Sequence, residues 1–235
     1  VFDREKLISE LKKMGVKPGR GCLEGLLEYG RALQEKSKKL NLVAPGDEPR
    51  LLERHLLDSL APLPLLARWG GPWMDLGSGG GLPGIPLALC WEKRPGFLVE
   101  SRAKKAYFLE KITSALELED IHIISKRAEA LGHDPQWREQ MFLVMARGLA
   151  PLPSLLELAF PLLKTGGSLL AWKGPGLEEE LSRSEKALEL LGGEQQTPVS
   201  YQAEGREYFL LEVIKRESTP ERFPRSPAAI KKRPL

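Results

Sequence analysis

The chain has 235 residues, a formal charge of +3 from 35 Lys and Arg against 32 Asp and Glu, and a 42% apolar fraction. That suffices for one large α/β domain with a small addition, and no apolar run approaches the ~20 residues that span a bilayer. Cys22 and Cys90 are far apart with no Cys-x-x-Cys, and the first residues are charged, so the sequence argues against a disulfide scaffold, a zinc site and a secretory signal and predicts a cytoplasmic protein.

In chain order, residues 3–40 read as helical. Leu7, Ile8, Leu11 and Met14 follow a 3.6 period that Gly15 ends. Pro18-Gly19 opens a second helix whose apolar face is Leu23, Leu26, Leu27, Leu33 and Leu40. Asn41 to Gly46, including Pro45, is a break. A third helix is predicted from about Pro49 to Ala67, bent or shortened by Pro62 and Pro64. From Trp73 the pattern changes to buried apolar runs at 73–76, 97–100, 122–125, 142–145 and 168–172, with helices predicted near 84–92, 102–117, 153–163 and 177–191. This β-α alternation predicts a parallel sheet covered on both faces. Thr197–Tyr201 and Tyr208–Ile214, joined by a polar loop, read as an antiparallel edge hairpin. The tail after Lys215 carries six basic and two acidic residues and the rest of the chain is nearly neutral, which suits a polyanionic partner.

The chemistry centres on Asp75-Leu76-Gly77-Ser78-Gly79-Gly80-Gly81-Leu82-Pro83-Gly84. A strand ends in an acid, and five glycines in eight residues lead into a helix. Missing Cβ atoms there let a ligand approach the main chain. Residues 79–84 also satisfy the dinucleotide pattern G-x-G-x-x-G. Pro83 lies inside that turn, however, and Asp75 at the strand end would repel a pyrophosphate. S-adenosylmethionine (SAM) fits better, because Asp75 offsets its positive methionine end and Glu100, ending the next strand, can accept the ribose hydroxyls. Glu129 follows the third strand and is a candidate for the adenine side.

The acceptor is narrowed by what the chain lacks. Methylating carbon 5 of a pyrimidine needs a cysteine nucleophile, and Cys90 sits in an apolar helical run that reads as core. The Asp/Asn-Pro-Pro-aromatic turn that accompanies exocyclic amines is replaced by Val144-Met145-Ala146-Arg147-Gly148. A ring nitrogen such as guanine N7 has a lone pair and no proton to lose, so alignment suffices. Arg147 can pair with guanine O6 or N7, or with a phosphate.

These residues, together with Arg54-His55-Leu56-Leu57-Asp58-Ser59-Leu60, Lys104-Lys105, Arg127-Ala128-Glu129, Lys173-Gly174 and Phe223-Pro224-Arg225, resemble the RsmG family (formerly glucose-inhibited division protein B), small-subunit ribosomal RNA guanine-N7 methyltransferases. The chain departs from the family's usual pattern at Phe142-Leu143, around Arg147, and at Ala228 and Ile230. The resemblance implies a Rossmann-like class I methyltransferase of α/β fold, with a mostly parallel seven-stranded sheet, an antiparallel edge hairpin and an N-terminal helical extension. The domains expected are an extension over 1–68, a methyltransferase domain over 69–216 and a basic tail over 217–235. It carries a SAM pocket onto Gly77, Leu82, Ala128, Glu129 and Arg147, beside Asp75, Ser78, Gly79, Gly81 and Glu100, which the loop and strand ends already single out as cofactor candidates. Its partner would be 16S ribosomal RNA or a small-subunit precursor, met by a monomer without metal or membrane. Lys173, Arg225, Lys231, Lys232 and Arg233 are expected to contact RNA phosphates. His55 and Asp58, three apart on one helical face, either position RNA or brace the cofactor loop or, the favoured reading, pin the N-terminal helices onto the main domain. Two alternatives stay open: a methyltransferase of a small molecule or protein, for which the basic tail is dispensable, and a non-catalytic RNA- or ribosome-binding protein on the same fold.

Overall fold

The computed structural model describes residues 4–16, 19–44, 46–47, 50–91, 94–203 and 205–235. Asp3, Pro18, Pro45 and Pro49, which figure in the predicted elements, lie outside them. Contacts divide the chain into two units, Val1–Trp69 with Ser78–Ser125, and Gly70–Gly77 with Lys126–Leu235.

The first unit begins with helices α1 (Arg4–Lys13) and α2 (Arg20–Leu40). Leu7 and Leu11 of α1 are fully buried as the period predicts, whereas Ile8 is 40% exposed. Asn41 ends α2 in the left-handed conformation, its N–H donating to Ser37 O. The predicted third helix is three pieces. Leu51–Leu57 is a π-helical stretch, Asp58–Leu60 (α3) a single α turn, and Leu63–Arg68 a 3₁₀ stretch that Pro62 and Pro64 begin. Leu51, Leu52, Leu56 and Leu60 are buried as expected, although the winding differs from a continuous α-helix. Next come α4 (Gly84–Cys90), β2 (Gly96–Val99), α5 (Ala103–Ala115) and β3 (Ile121–Ile124), with β2 and β3 parallel. The two cysteines correct the reading of Cys90 as a core thiol: Cys22 of α2 and Cys90 at the end of α4 form a disulfide with Cα atoms 4.9 Å apart.

The second unit opens with β1 (Trp73–Leu76), then α6 (Ala128–Gly132), β4 (Met141–Arg147), α7 (Leu152–Ala159) and β5 (Leu163–Lys173). β1, β4 and β5 pair in parallel in that spatial order. Trp73 to Leu76 are all buried, and every residue of this short strand but Asp75 is apolar. The predicted helix over 177–191 is broken into α8 (Leu177–Ser182) and α9 (Glu185–Leu191). At the break, buried Ser184 donates its hydroxyl to Glu180 O at 2.6 Å. β7 (Val199–Ala203) and β8 (Arg206–Lys215) form the expected hairpin, and β8 lies antiparallel against β5. A short strand β6 (Gly193–Gln195) also pairs with β8, making eight strands among the described residues where seven were expected. Helix α10 (Pro227–Lys232) closes the chain, its N-terminus capped by Ser226 Oγ.

The basic tail folds back on this unit. Arg138 donates to the carbonyls of Gly132, Thr219, Pro220 and Phe223. Glu139 accepts from Thr219 N at 3.1 Å and from the fully buried Lys215 Nζ at 2.7 Å. Burial pushes the Glu139 carboxyl up, but the Lys215 and Thr219 donors outweigh it and hold it below its ordinary value. No helix of the described residues is long and apolar enough to cross a membrane.

Candidate functional site

In the first unit the glycine loop is held at three points. Ser78 N donates to Val99 O at 3.0 Å, tying the loop to the end of β2. Gly81 N and Leu82 N both donate to Ser78 O, which makes the loop a tight turn. Fully buried Tyr29 of α2 donates its hydroxyl to Gly80 O at 2.7 Å. Gly79 and Gly81 adopt φ of 56° and 99°, a region that side chains disfavour, and a Cβ on Gly81 would meet Ile85 Cδ1 at 2.4 Å. Glu100, one residue past β2 and 7% exposed, reaches this loop: its Oε2 accepts from Gly79 N at 3.1 Å, and its Oε1 from Arg102 N at 2.7 Å. Gly79 and Glu100, chosen separately from the sequence, are therefore in contact. Two N–H donors fix the carboxylate, and each oxygen keeps a lone pair for a further donor.

In the second unit Asp75 is fully buried near the carboxyl end of β1, opposite Met145 of β4. Arg147 is the last residue of β4, half-buried opposite Trp172 of β5. Gly77 is also left-handed at φ 72°, and a Cβ there would meet Leu149 at 2.6 Å, so the chain past β1 abuts the loop past β4. Ala128 and Glu129 open α6, both half-buried. Beyond the ends of β4 and β5 lies a pocket of about 450 Å³ whose wall includes Ala146, Leu149, Trp172, Lys173 and Glu180. That is the size of a small-molecule or nucleobase site, at the strand edge where ligands of α/β sheets bind.

Two residues expected to meet RNA phosphates form ion pairs within the chain. Lys173 Nζ, at the end of β5, donates to Glu180 Oε2 at 2.6 Å. Arg225 donates from Nε and Nη2 to the two oxygens of Glu157 at 2.8 and 2.6 Å, and its backbone N–H joins them at 2.8 Å. Glu157 is fully buried among the leucines of α7, so this bidentate pair neutralises a charge that could not stand alone. Lys231, Lys232 and Arg233 are exposed. His55 lies 3.2 Å from Asp47 Oδ2, an oxygen that also accepts from Arg54 at 2.9 Å. Glu157 and Glu180 escaped the sequence reading, because a single acid between leucines or one within an acidic run looks like a solvated helix face, and Asp47 did so because it follows the break that ends at Gly46.

The fold and loop are those of the Rossmann-like class I methyltransferases. Among solved structures the chain is similar to a SAM-dependent methyltransferase from Aquifex aeolicus, at a TM-score of 0.53 and 18% identity over 77% of this chain and 98% of that one. The chain belongs to the family described as rRNA small subunit methyltransferase G, whose model matches residues 23–209. Ribosomal RNA small subunit methyltransferase G of Dictyoglomus thermophilum is 38% identical over 88% of this chain and 87% of its own. The protein of that name from Pelotomaculum thermopropionicum is 38% identical over 95% of both chains.

Proposed function

We propose that this chain transfers a methyl group from SAM to N7 of a guanine in the decoding-region loop of 16S ribosomal RNA. The observation that carries the reading is the contact of Glu100 with Gly79, in a chain of the family just described: an acid at a strand end fixed against a left-handed glycine loop. The donor set suits SAM, since buried acids match its sulfonium and ammonium and the glycine backbone leaves room for its ribose.

SAM, when bound, supplies an electrophilic methyl on a sulfonium. Glu100 would accept the ribose hydroxyls through the lone pairs that Gly79 N and Arg102 N leave unused. Asp75 and the backbone of Gly77, Ser78, Gly79, Gly81 and Leu82 would hold the methionine end. Ala128 and Glu129 would border the adenine, and Arg147 would orient cofactor or guanine. Guanine N7 needs no base, so the work left to the chain is alignment. Lys231, Lys232 and Arg233 would add sequence-independent contacts to RNA. We place the enzyme in the cytoplasm as a monomer, acting on 16S rRNA or a precursor of the small subunit, with residues 1–68 as an extension and 69–216 as the catalytic domain.

The test is incubation with labelled SAM and small subunits lacking the modification, followed by mapping of the labelled base. Label on guanine N7 is expected, and label on any other atom ends the proposal.

A further inference from the structure

The pocket beyond β4 and β5 carries an ion pair in its wall. Lys173 is 7% exposed. Its ammonium has three donors: one goes to Glu180 Oε2 at 2.6 Å and a second reaches Ala150 O only at 3.5 Å. Glu180 Oε2 takes a further bond, from Leu152 N at 2.7 Å. Its Oε1 takes none from the described residues. The pocket thus presents a cationic donor beside a carboxylate oxygen that can still accept. Leu149 lines the same pocket and is one of only four large apolar side chains exposed among the described residues, at 37%. It offers an apolar surface for the face of a planar ring.

We propose that Lys173 and Glu180 read the Watson–Crick edge of the target guanine, an inference that rests on the guanine-N7 reading above. That edge runs acceptor, donor, donor: O6, N1–H and N2–H₂. Lys173 donates to O6, while Glu180 accepts from N1–H and N2–H₂ through Oε1, the oxygen left open. Adenine reverses both positions, setting an amino group against the buried ammonium and a ring lone pair against the half-buried carboxylate, which leaves both mispaired. N7 lies outside the edge so held and stays open to the incoming methyl. Charge adds a second effect. Methylation leaves the purine cationic, which makes N1–H a stronger donor, so the carboxylate binds the transition state more tightly than the ground state. A pair serving only to pin α8 to β5 has neither consequence.

The experiment compares 16S rRNA, naked and assembled into small subunits, carrying guanosine or inosine at the methylated base. Inosine keeps N7, O6 and N1–H and lacks only the 2-amino group. The unaltered enzyme is expected to lose at least about tenfold in kcat/KM on inosine, the worth of one hydrogen bond to a charged group. In Glu180→Ala the two substrates should fall within about twofold of each other, the bond in question being gone. The double variant Lys173→Met/Glu180→Met replaces both charges with apolar side chains, so neither partner is left as an uncompensated charge. It should show the same collapse of the ratio, with SAM binding by calorimetry unchanged. Retention of the unaltered enzyme's ratio in either variant, or equal rates of that enzyme on both substrates, overturns the assignment. Absence of guanine-N7 methylation by the unaltered enzyme overturns the parent reading instead.

Discussion

Glu100 binds two backbone N–H groups with one carboxylate, so its charge matters as much as its shape. Glu100→Gln keeps the volume but weakens charge-assisted bonds, and SAM should dissociate about tenfold more readily by calorimetry, with the far-UV spectrum unchanged. Asp47 makes a stability prediction of the same grain. Burial pushes its carboxyl up, but the Arg54 hydrogen bond and the charges of Arg54, His55 and Arg50 outweigh burial and hold it below its ordinary value. Its contribution to stability is complete above about pH 4, the unfolded value, and drains away as pH falls through the lower folded value. The urea midpoint should fall as pH drops below about 4, and Asp47→Asn should flatten that part of the curve. A slope that Asp47→Asn leaves untouched would assign the acid sensitivity to another group.

Among the elements, the tail separates two kinds of positive charge. Arg225 is spent on buried Glu157, so Arg225→Ala should cost about 3 kcal/mol in chemical denaturation by stranding a carboxylate. Lys231, Lys232 and Arg233 are exposed, and replacing all three with Gln should leave stability alone. It should reduce the salt dependence of RNA binding by about 2 in log–log slope if they meet phosphates. The sequence could not sort these residues, because Arg225 looks as solvated as its neighbours and its partner lies 68 positions upstream. By contrast the strands over 73–76, 96–99 and 141–147 were legible, since buried parallel strands read as unbroken apolar runs. Helices α6 and α10 were not, being five and six residues long, too short to display a period. In the site, Asp75 and Glu100 could be picked out because each follows an apolar run. Glu180 could not, because it ends the run Glu178-Glu179-Glu180.

For the molecule as a whole, the disulfide joins two residues of the first unit that stand 68 positions apart in the sequence. Closing a loop of that length restricts the unfolded chain by about 4 kcal/mol on the chain-entropy model. Oxidised protein should lose roughly that much stability in Cys22→Ala, and reductant should narrow the gap between the two by lowering only the parent. A parent curve that reductant does not move would mean the bridge constrains nothing.

The anchors of the tail also bear on how the protein is made. Arg138, Glu139 and Glu157 leave the ribosome well before Lys215, Thr219 and Arg225, the groups that answer their charges. A nascent chain that ends between β5 and β8 holds β1, β4, β5 and α7 but not the counterparts of those charges. Synthesis order therefore delays settlement of the second unit until its last fifth emerges. Chains arrested in that interval are expected to be cleared by proteases faster than their length alone suggests.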